Sequence, residues 1–251
     1  MQVVTGDILT NYELTGSGPL VIWLHGWGDS IVSSTAIRKE LAQNYQVLAP
    51  DLPGFGASET PRTAWDLDDY AKWLELLLAK LSLDEPYAII GHSNGGALAI
   101  HELATGSLKP QKLVLLAAAG IRTGQGSARK TGLKVLAKTG KVATAALPVK
   151  TREKLRETLY QKAGSDLLVA PHMQETFKKI VAQDVQADAA AITQPTLLLY
   201  GETDTATPPE MGQTYHELIK NSELHIVSDA GHFVYLDQTE RVVKVVEDFL
   251  Q

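Results

Sequence analysis

The stretch from Tyr87 to Ile100, YAIIGHSNGGALAI, decides the fold. It begins as an apolar run, passes through residues 91–96 (GHSNGG) and continues with helix-forming residues. This order predicts a buried strand that turns sharply into a helix. A turn this tight strains its central residue, Ser93, and such strain is retained where something is gained from it.

Apolar runs of the same kind recur along the chain, with helical patterns between them. Continuous apolar strands are typical of a parallel sheet covered on both faces, and their alternation with helices indicates a doubly wound, mostly parallel α/β fold. The first residues, Gln2–Val4 and Leu9–Leu14, predict a hairpin at the sheet edge. The predicted inner strands are Leu20–Leu24, Gln46–Ala49, Ala88–Ile90, Lys112–Leu116, Thr196–Tyr200 and Glu223–Val227.

Two helices stand out, and one segment interrupts the alternation. Asp66 to Leu81 begins with carboxylates and repeats apolar residues every three or four positions, and Val242 to Leu250 predicts a closing helix. Residues 121–190 contain no good strand and have a helical pattern broken by Gly and Pro. We therefore expect a core domain of residues 1–120 and 191–251 that carries a helical insertion at 121–190.

Composition and charge limit the classes of function. The net charge of −6 argues against general nucleic-acid binding, and the chain has no Cys for a disulfide, a thiolate nucleophile or a thiolate metal site. The sequence has no phosphate-binding or dinucleotide fingerprint, so we expect neither a cofactor nor a metal. The first ten residues lack the pattern of a signal peptide and no apolar run approaches membrane-spanning length, which favours a cytoplasmic protein without membrane insertion. The oligomeric state stays open.

Ser93 has the setting of a catalytic nucleophile. A serine hydroxyl is a weak nucleophile at neutral pH and needs a base within hydrogen-bond reach, oriented by a third group. A Gly-x-Ser-x-Gly turn between strand and helix exposes the hydroxyl at the carboxyl edge of the sheet, next to the N–H groups of the helix. The alternative is an inert Gly/Ser turn.

Five motifs together resemble those of the α/β-hydrolase superfamily, in the order nucleophile, acid, histidine. The resemblance spans nearly the whole chain except residues 121–190, and it implies the α/β-hydrolase fold with a helical cap. It is specific for the superfamily but not for a substrate. The motifs are LHGWG at 24–28, DLPGFGAS at 51–58, GHSNGG at 91–96, GETD at 201–204 and GHF at 231–233.

His232 is the expected base among seven histidines. It follows the last predicted strand, at the edge of the sheet where open α/β folds place their sites. His92 should point away from Ser93, and His172 in the insertion is not expected to reach the pocket. The others are more often structural, packed or solvated: His25, to which the resemblance gives a structural role, His101, His216 and His225.

Asp204 is the expected acid, because it follows another predicted strand at the same edge. Its role would be to hold His232 in the tautomer that accepts the serine proton and to stabilise the imidazolium. Glu202 and Asp229 are rivals. Glu202 more plausibly points outward, and Asp229 is close enough in sequence to His232 to serve only in shaping the turn.

The resemblance also implies the donors of an oxyanion hole. They are the backbone N–H groups of Asn94, directly after the nucleophile, and of Trp27, in the loop after the first inner strand. The loop at 51–58 would brace this region, with Asp51 in a structural role.

The insertion is strongly basic. Residues 121–164 contain eleven Lys or Arg and two carboxylates, a net charge of +9, so the rest of the chain carries −15. As a cap, this segment would choose the substrate. Its charge indicates either a solvated helical surface docked on an acidic core, or attraction of anionic substrates or an anionic membrane surface.

These observations predict a serine hydrolase that acts on a small-molecule acyl substrate, an ester, thioester or lactone, through an acyl-enzyme. Epoxide hydrolases and haloalkane dehalogenases of this fold use an aspartate where this chain has Ser93. A carbon–carbon bond hydrolase of diketone-type acids, with the same triad, and a perhydrolase are alternatives. A proline-type aminopeptidase is disfavoured by the basic cap, and a ligand receptor on a hydrolase scaffold is the non-enzymatic alternative.

Overall fold

The computed structural model describes residues 1–122 and 169–251. Within them, eight strands form one sheet in the order β1-β2-β4-β3-β5-β6-β7-β8. The strands are β1 Gln2–Thr5, β2 Ile8–Thr15, β3 Leu20–Leu24, β4 Gln46–Pro50, β5 Ala88–His92, β6 Lys112–Leu116, β7 Thr196–Gly201 and β8 Ser222–Val227.

The sheet is mostly parallel, as the sequence predicted. Strands β3 to β8 pair in parallel, while β1 pairs with β2 and β2 with β4 in antiparallel fashion. The N-terminal hairpin is therefore confirmed at one edge. All six predicted inner strands occur, each within two residues of its predicted ends.

Helices cover both faces of the sheet, which makes the fold doubly wound. Side chains of α2, α3 and α6 pack on one face, and those of α1, α7 and α8 on the other. Alternate residues of the inner strands divide between these two cores, because successive side chains of a strand point to opposite faces. The helices are α1 Thr35–Leu41, α2 Leu67–Leu81, α3 Asn94–Thr105, α4 Gln174–Ile180, α5 Gln186–Ala191, α6 Pro209–Leu218, α7 Val234–Asp237 and α8 Thr239–Leu250.

The two helices predicted in detail are present with shifted starts. Helix α2 begins at Leu67 because Asp66 is its N-cap: the Asp66 carboxylate accepts from the Asp69 N–H, and the Asp69 carboxylate accepts from the Asp66 N–H. This reciprocal arrangement satisfies two amides at the helix end. Helix α8 begins at Thr239, three residues before the predicted Val242.

The described end of the insertion is helical and docks on the loop before α2. A short 3₁₀ turn, Pro171–Met173, leads into α4, and α5 follows. The Thr176 hydroxyl accepts from the Trp65 N–H at 3.0 Å, and the Gln183 side-chain oxygen accepts from the Leu67 N–H at 2.9 Å. These bonds tie the segment that returns from the insertion to the core.

Residues 123–168, which include all of the basic stretch except Ile121 and Arg122, lie outside the described residues. The cap at 121–190 and the role of the basic stretch at 121–164 therefore stay predictions. Among the helices of the described ranges, none combines the length and apolarity needed to cross a bilayer.

Candidate active site

Ser93 lies at the sharp turn between β5 and α3. Its φ is +52°, a value that favours glycine, so the backbone is strained at the residue that the sequence singled out. A Cβ on Gly95 would collide with the backbone carbonyl of Leu24, and one on Gly91 would lie 2.5 Å from the Gly95 carbonyl oxygen. Both glycines are needed because the turn packs this closely on β3 and on itself.

The structure brings His232 to Ser93. The Ser93 Oγ lies 3.0 Å from His232 Nε2, although 139 residues separate them. Strand β8 lies three strands away from β5, about 14 Å at the usual strand spacing. The five residues from 228 to 232 can extend about 17 Å, so the loop after β8 is long enough to reach the turn at Ser93.

Asp204 lies on the other side of the His232 ring. Its Oδ2 is 2.8 Å from His232 Nδ1, and its side chain is fully buried while that of His232 is 23% exposed. Because an ionised carboxylate can only accept, Nδ1 carries the proton and Nε2 presents a lone pair toward Ser93. Burial by itself would raise the pKa of Asp204, but hydrogen bonds from His232 and Thr207 outweigh it and lower the pKa below its usual value.

The rival acids are not in this position. Glu202 is exposed, as expected. Asp229 is also exposed and has a φ of +55°, which places it in the turn before His232. Neither carboxylate bonds to the His232 ring in the described ranges.

Thr207 belongs to this cluster, and sequence reasoning missed it. Its Oγ1 lies 2.7 Å from Asp204 Oδ2 and 3.0 Å from His232 Nδ1. The N–H groups of Ala206 and Thr207 donate to Asp204 Oδ1. The Asp-x-x-Thr spacing, in which a carboxylate caps the amides two and three residues on, was the available signal. The carboxylate is thus held rigidly against the imidazole.

The loop after β3 borders Ser93 closely. A Cβ on Gly26 would lie 3.1 Å from Ser93 Cβ and 3.0 Å from His92 Nδ1, so only glycine fits without displacement. Across residues 1–122 and 169–251, no acceptor is bonded to the N–H of Trp27 or of Asn94. These are the two amides that the sequence analysis predicted as oxyanion donors.

Two buried groups brace this loop. His25 Nδ1–H donates to the Gly26 carbonyl, and His25 Nε2 accepts from the Leu52 N–H. The Asp51 carboxylate accepts from the N–H groups of Ile31 and Ala57. His25 and Asp51 therefore have the structural roles expected of them, connecting the loops after β3 and β4.

The other histidines lie in different settings. The ring of His101 is bound by Asp68 and Asp188, and the exposed His172 contacts the Gly54 carbonyl. His92 makes no hydrogen bond to Ser93, as expected, but its ring lies 4.9 Å from that of His232, a contact that the sequence did not indicate. His216 and His225 are exposed.

An aromatic cluster joins the loop after β3 to the segment that returns from the insertion. The Trp27 ring lies 4.8 Å from Phe55 and 5.0 Å from Phe177 of α4. The Met173 side chain also packs against Gly54. The loop that carries the Trp27 amide is thus packed from the side of the insertion. In the part of the chain that the structure describes, no three His, Asp or Glu side chains converge to hold a metal.

The sequence model of the alpha/beta hydrolase family matches residues 21–245. The chain belongs to this family. The match includes Ser93, Asp204, Thr207 and His232.

Proteins similar to this chain are named for several activities. The chain is 26% identical, over 267 residues, to a 2-hydroxy-6-oxo-2,4-heptadienoate hydrolase of Pseudomonas putida, covering 99% of this chain and 95% of that one. Among solved structures, it resembles an enol-lactonase from Burkholderia xenovorans LB400 (TM-score 0.77, 20% identity, 100% and 99% of the two chains covered). It also resembles a meta-cleavage product hydrolase from Pseudomonas fluorescens IP01 (TM-score 0.74, 23% identity, 99% and 96% covered).

Proposed function

We propose that the protein is a serine hydrolase that cleaves a carboxylic ester, or a related acyl substrate, through an acyl-enzyme. The observation that supports this best is the continuous pair of hydrogen bonds from Ser93 through His232 to Asp204, of 3.0 and 2.8 Å. A nucleophile, a base and an orienting acid in one line are the parts that acyl transfer requires.

In the first half of the proposed reaction, Ser93 Oγ attacks the acyl carbon while His232 Nε2 takes its proton. The Asp204 carboxylate stabilises the imidazolium that forms. The carbonyl oxygen becomes an oxyanion, which the N–H groups of Trp27 and Asn94 would bind. Collapse of the tetrahedral intermediate transfers the proton from His232 to the leaving alcohol and leaves Ser93 acylated.

Water completes the proposed cycle. His232 Nε2 removes a proton from a water molecule, and the resulting hydroxide attacks the acyl-enzyme. The second tetrahedral intermediate expels Ser93 Oγ, which recovers its proton from His232. The acid product leaves and the three residues return to their starting protonation states.

A carbon–carbon bond hydrolase of diketone-type acids is the second candidate. The observation in its favour is the likeness to 2-hydroxy-6-oxo-2,4-heptadienoate hydrolase, whose name describes an unsaturated acid with a hydroxyl and a ketone group. The same three residues would act on that ketone. Such a substrate carries a carboxylate, so its pocket would need a positively charged side chain that the pocket of a neutral ester would not.

We further assign residues 1–120 and 191–251 to the catalytic core and 121–190 to a cap that selects the substrate. Phe177 of the returning segment packs on Trp27 and supports this division. The basic stretch at 121–164 either attracts anionic substrates or is a solvated surface. Exposed charges act over about 8–10 Å at physiological salt, so attraction would make kcat/KM for acidic esters fall as salt rises.

The test is a panel of p-nitrophenyl esters of increasing acyl length, run beside a vinylogous diketone acid. Ser93→Ala and His232→Ala should each lower kcat for the best substrate by about 10⁴-fold or more, and the double variant little further, because residues acting as a unit are not additive. Asp204→Asn should cost less, since Asp204 orients and stabilises the base rather than transferring the proton. Retention of ester hydrolysis within tenfold in Ser93→Ala would contradict the proposal.

Exposed residues of the same types supply matched controls. Ser17→Ala, His225→Ala and Glu202→Gln change a serine, a histidine and a carboxylate in exposed positions, and each should leave kcat unchanged. Covalent labelling by a fluorophosphonate separates an enzyme from a ligand receptor, because only an activated serine reacts. A severe Glu202→Gln with a neutral Asp204→Asn would show that the acid is misassigned.

A further inference from the structure

His92 is a buried polar residue next to the proposed nucleophile. It is the last residue of β5, directly before Ser93, and it is 1% exposed. Its ring lies among three others: 4.9 Å from His232, 5.0 Å from Phe233 and 5.1 Å from Tyr235. A polar ring is thus enclosed by the loop that carries the proposed base.

The ring makes one hydrogen bond, to the main chain of His232. His92 Nε2 lies 3.0 Å from the His232 carbonyl oxygen. Because a carbonyl can only accept, Nε2 carries the proton. In the described ranges no other donor reaches this carbonyl, so its hydrogen bonding depends on His92.

The other ring nitrogen identifies the protonation state. His92 Nδ1 is buried and has no partner in the described part of the chain, and it faces Gly26 of the oxyanion loop. Burial, reinforced by the charge that His232 can carry, lowers the pKa of His92 to about 3. The ring is therefore neutral when His232 works, and it adds no positive charge next to the imidazolium.

We propose that His92 is a positioning residue, which holds the His232 ring over Ser93 Oγ by donating its Nε2–H to the His232 carbonyl. The nucleophile and the base lie on segments 139 residues apart. His92 joins them directly, because it is covalently bonded to Ser93 and hydrogen-bonded to His232. This inference rests on the proposed function, in which the distance between Ser93 Oγ and His232 Nε2 matters.

Two substitutions separate hydrogen bonding from packing. His92→Phe keeps a flat ring of similar size and removes the donor, whereas His92→Gln gives up the ring but places an amide N–H near the position of Nε2. If His92 acts by positioning, His92→Phe should lower kcat about 10- to 100-fold with KM nearly unchanged, because a displacement near 1 Å can cost about 10² in rate. His92→Gln should recover most of that loss.

A purely structural role predicts the reverse order. The apolar Phe would then be tolerated in this buried site, while Gln would leave its amide poorly packed. Activity of His92→Phe within threefold of the native protein, or His92→Gln lower than His92→Phe, would overturn the inference. The pH dependence of kcat/KM should keep its native form between pH 5 and 9 in His92→Gln, because His92 does not titrate there.

The rate of fluorophosphonate labelling distinguishes a failure of the His92 inference from a failure of the proposed function. Labelling depends on the activation of Ser93 and not on the choice of substrate. If the native protein labels and His92→Phe labels at the same rate, the inference fails while the function stands; if the native protein does not label, both fail. His225→Gln, at an exposed position, is the control.

A second variant covers the case in which His92→Phe does not fold. His92→Leu also lacks the donor, and circular dichroism shows which variants are folded. Labelling slowed about tenfold or more in a folded donor-free variant, and largely restored in His92→Gln, supports positioning. If neither donor-free variant folds, His92→Gln alone decides: labelling within about threefold of native supports the inference, and a larger loss overturns it.

Discussion

Replacing Glu102 by Gln is expected to stabilise the protein at alkaline pH. Glu102 lies on α3, at the end remote from Ser93, and it is completely buried. Its Oε1 accepts from the Leu108 N–H, but its Oε2 has no partner in the described ranges. Burial, together with the nearby carboxylate of Glu75, raises the pKa of Glu102 from 4.5 to about 7.

The size of the effect follows from this shift in pKa. At 1.36 kcal/mol per unit, a rise from 4.5 to about 7 corresponds to about 3 kcal/mol. The folded state favours the protonated carboxyl of Glu102, so the contribution of this group to the free energy of unfolding is complete below pH 4.5. It is lost as the pH rises through 7, where the folded protein must ionise a buried group. Gln cannot ionise, so the variant avoids this loss.

Chemical denaturation at pH 5.0 and pH 8.5 measures the difference. At pH 8.5 the free energy of unfolding of Glu102→Gln should exceed that of the native protein by about 1–3 kcal/mol, since the Gln amide has to find new partners. At pH 5.0, where most of this loss has not yet occurred, the variant should show no gain, and the cost of the amide should leave it equal to or less stable than the native protein. The exposed Glu217→Gln is the control, with no pH-dependent difference expected. Equal differences at both pH values would refute the reasoning.

Two further predictions concern α3, the helix that follows Ser93. Burial opposes the charge on His101, but the hydrogen bonds to Asp188 and Asp68 outweigh burial and raise the pKa of His101. The stability that these two carboxylates give to the charged ring is therefore complete below pH 6.5 and is lost as the pH rises through the raised pKa. Asp188→Asn should therefore lower the free energy of unfolding by about 1–2 kcal/mol at pH 6 and by clearly less at pH 9, measured by denaturation at both. Gly95→Ala should lower the melting temperature by about 5 °C or more, because the added Cβ would collide with the carbonyl of Leu24. An unchanged melting temperature would show that the turn at Ser93 is not packed this tightly.

The sequence predicted the fold because the information lies in local pattern. Inner strands are continuous apolar runs, and the carboxylates of Asp66 and Asp69 mark the start of helix α2. Such elements can be predicted from the periodicity of apolar side chains and from the residue types that cap a helix. The positions of His232 and Asp204 could also be predicted, because both follow strands whose carboxyl ends meet at one edge of the sheet.

Contacts between distant segments required the tertiary structure. Thr207 reaches the His232 ring across 25 residues, and His92 reaches the His232 carbonyl across 140 residues. No period or spacing encodes these contacts, since they depend on how the loop after β8 returns across β7 and β6. The buried Glu102 was missed for the same reason: a carboxylate within a helical pattern has no local sign of its burial. Local pattern determined which residues stand at the carboxyl edge of the sheet, and only packing decided which atoms of those residues meet.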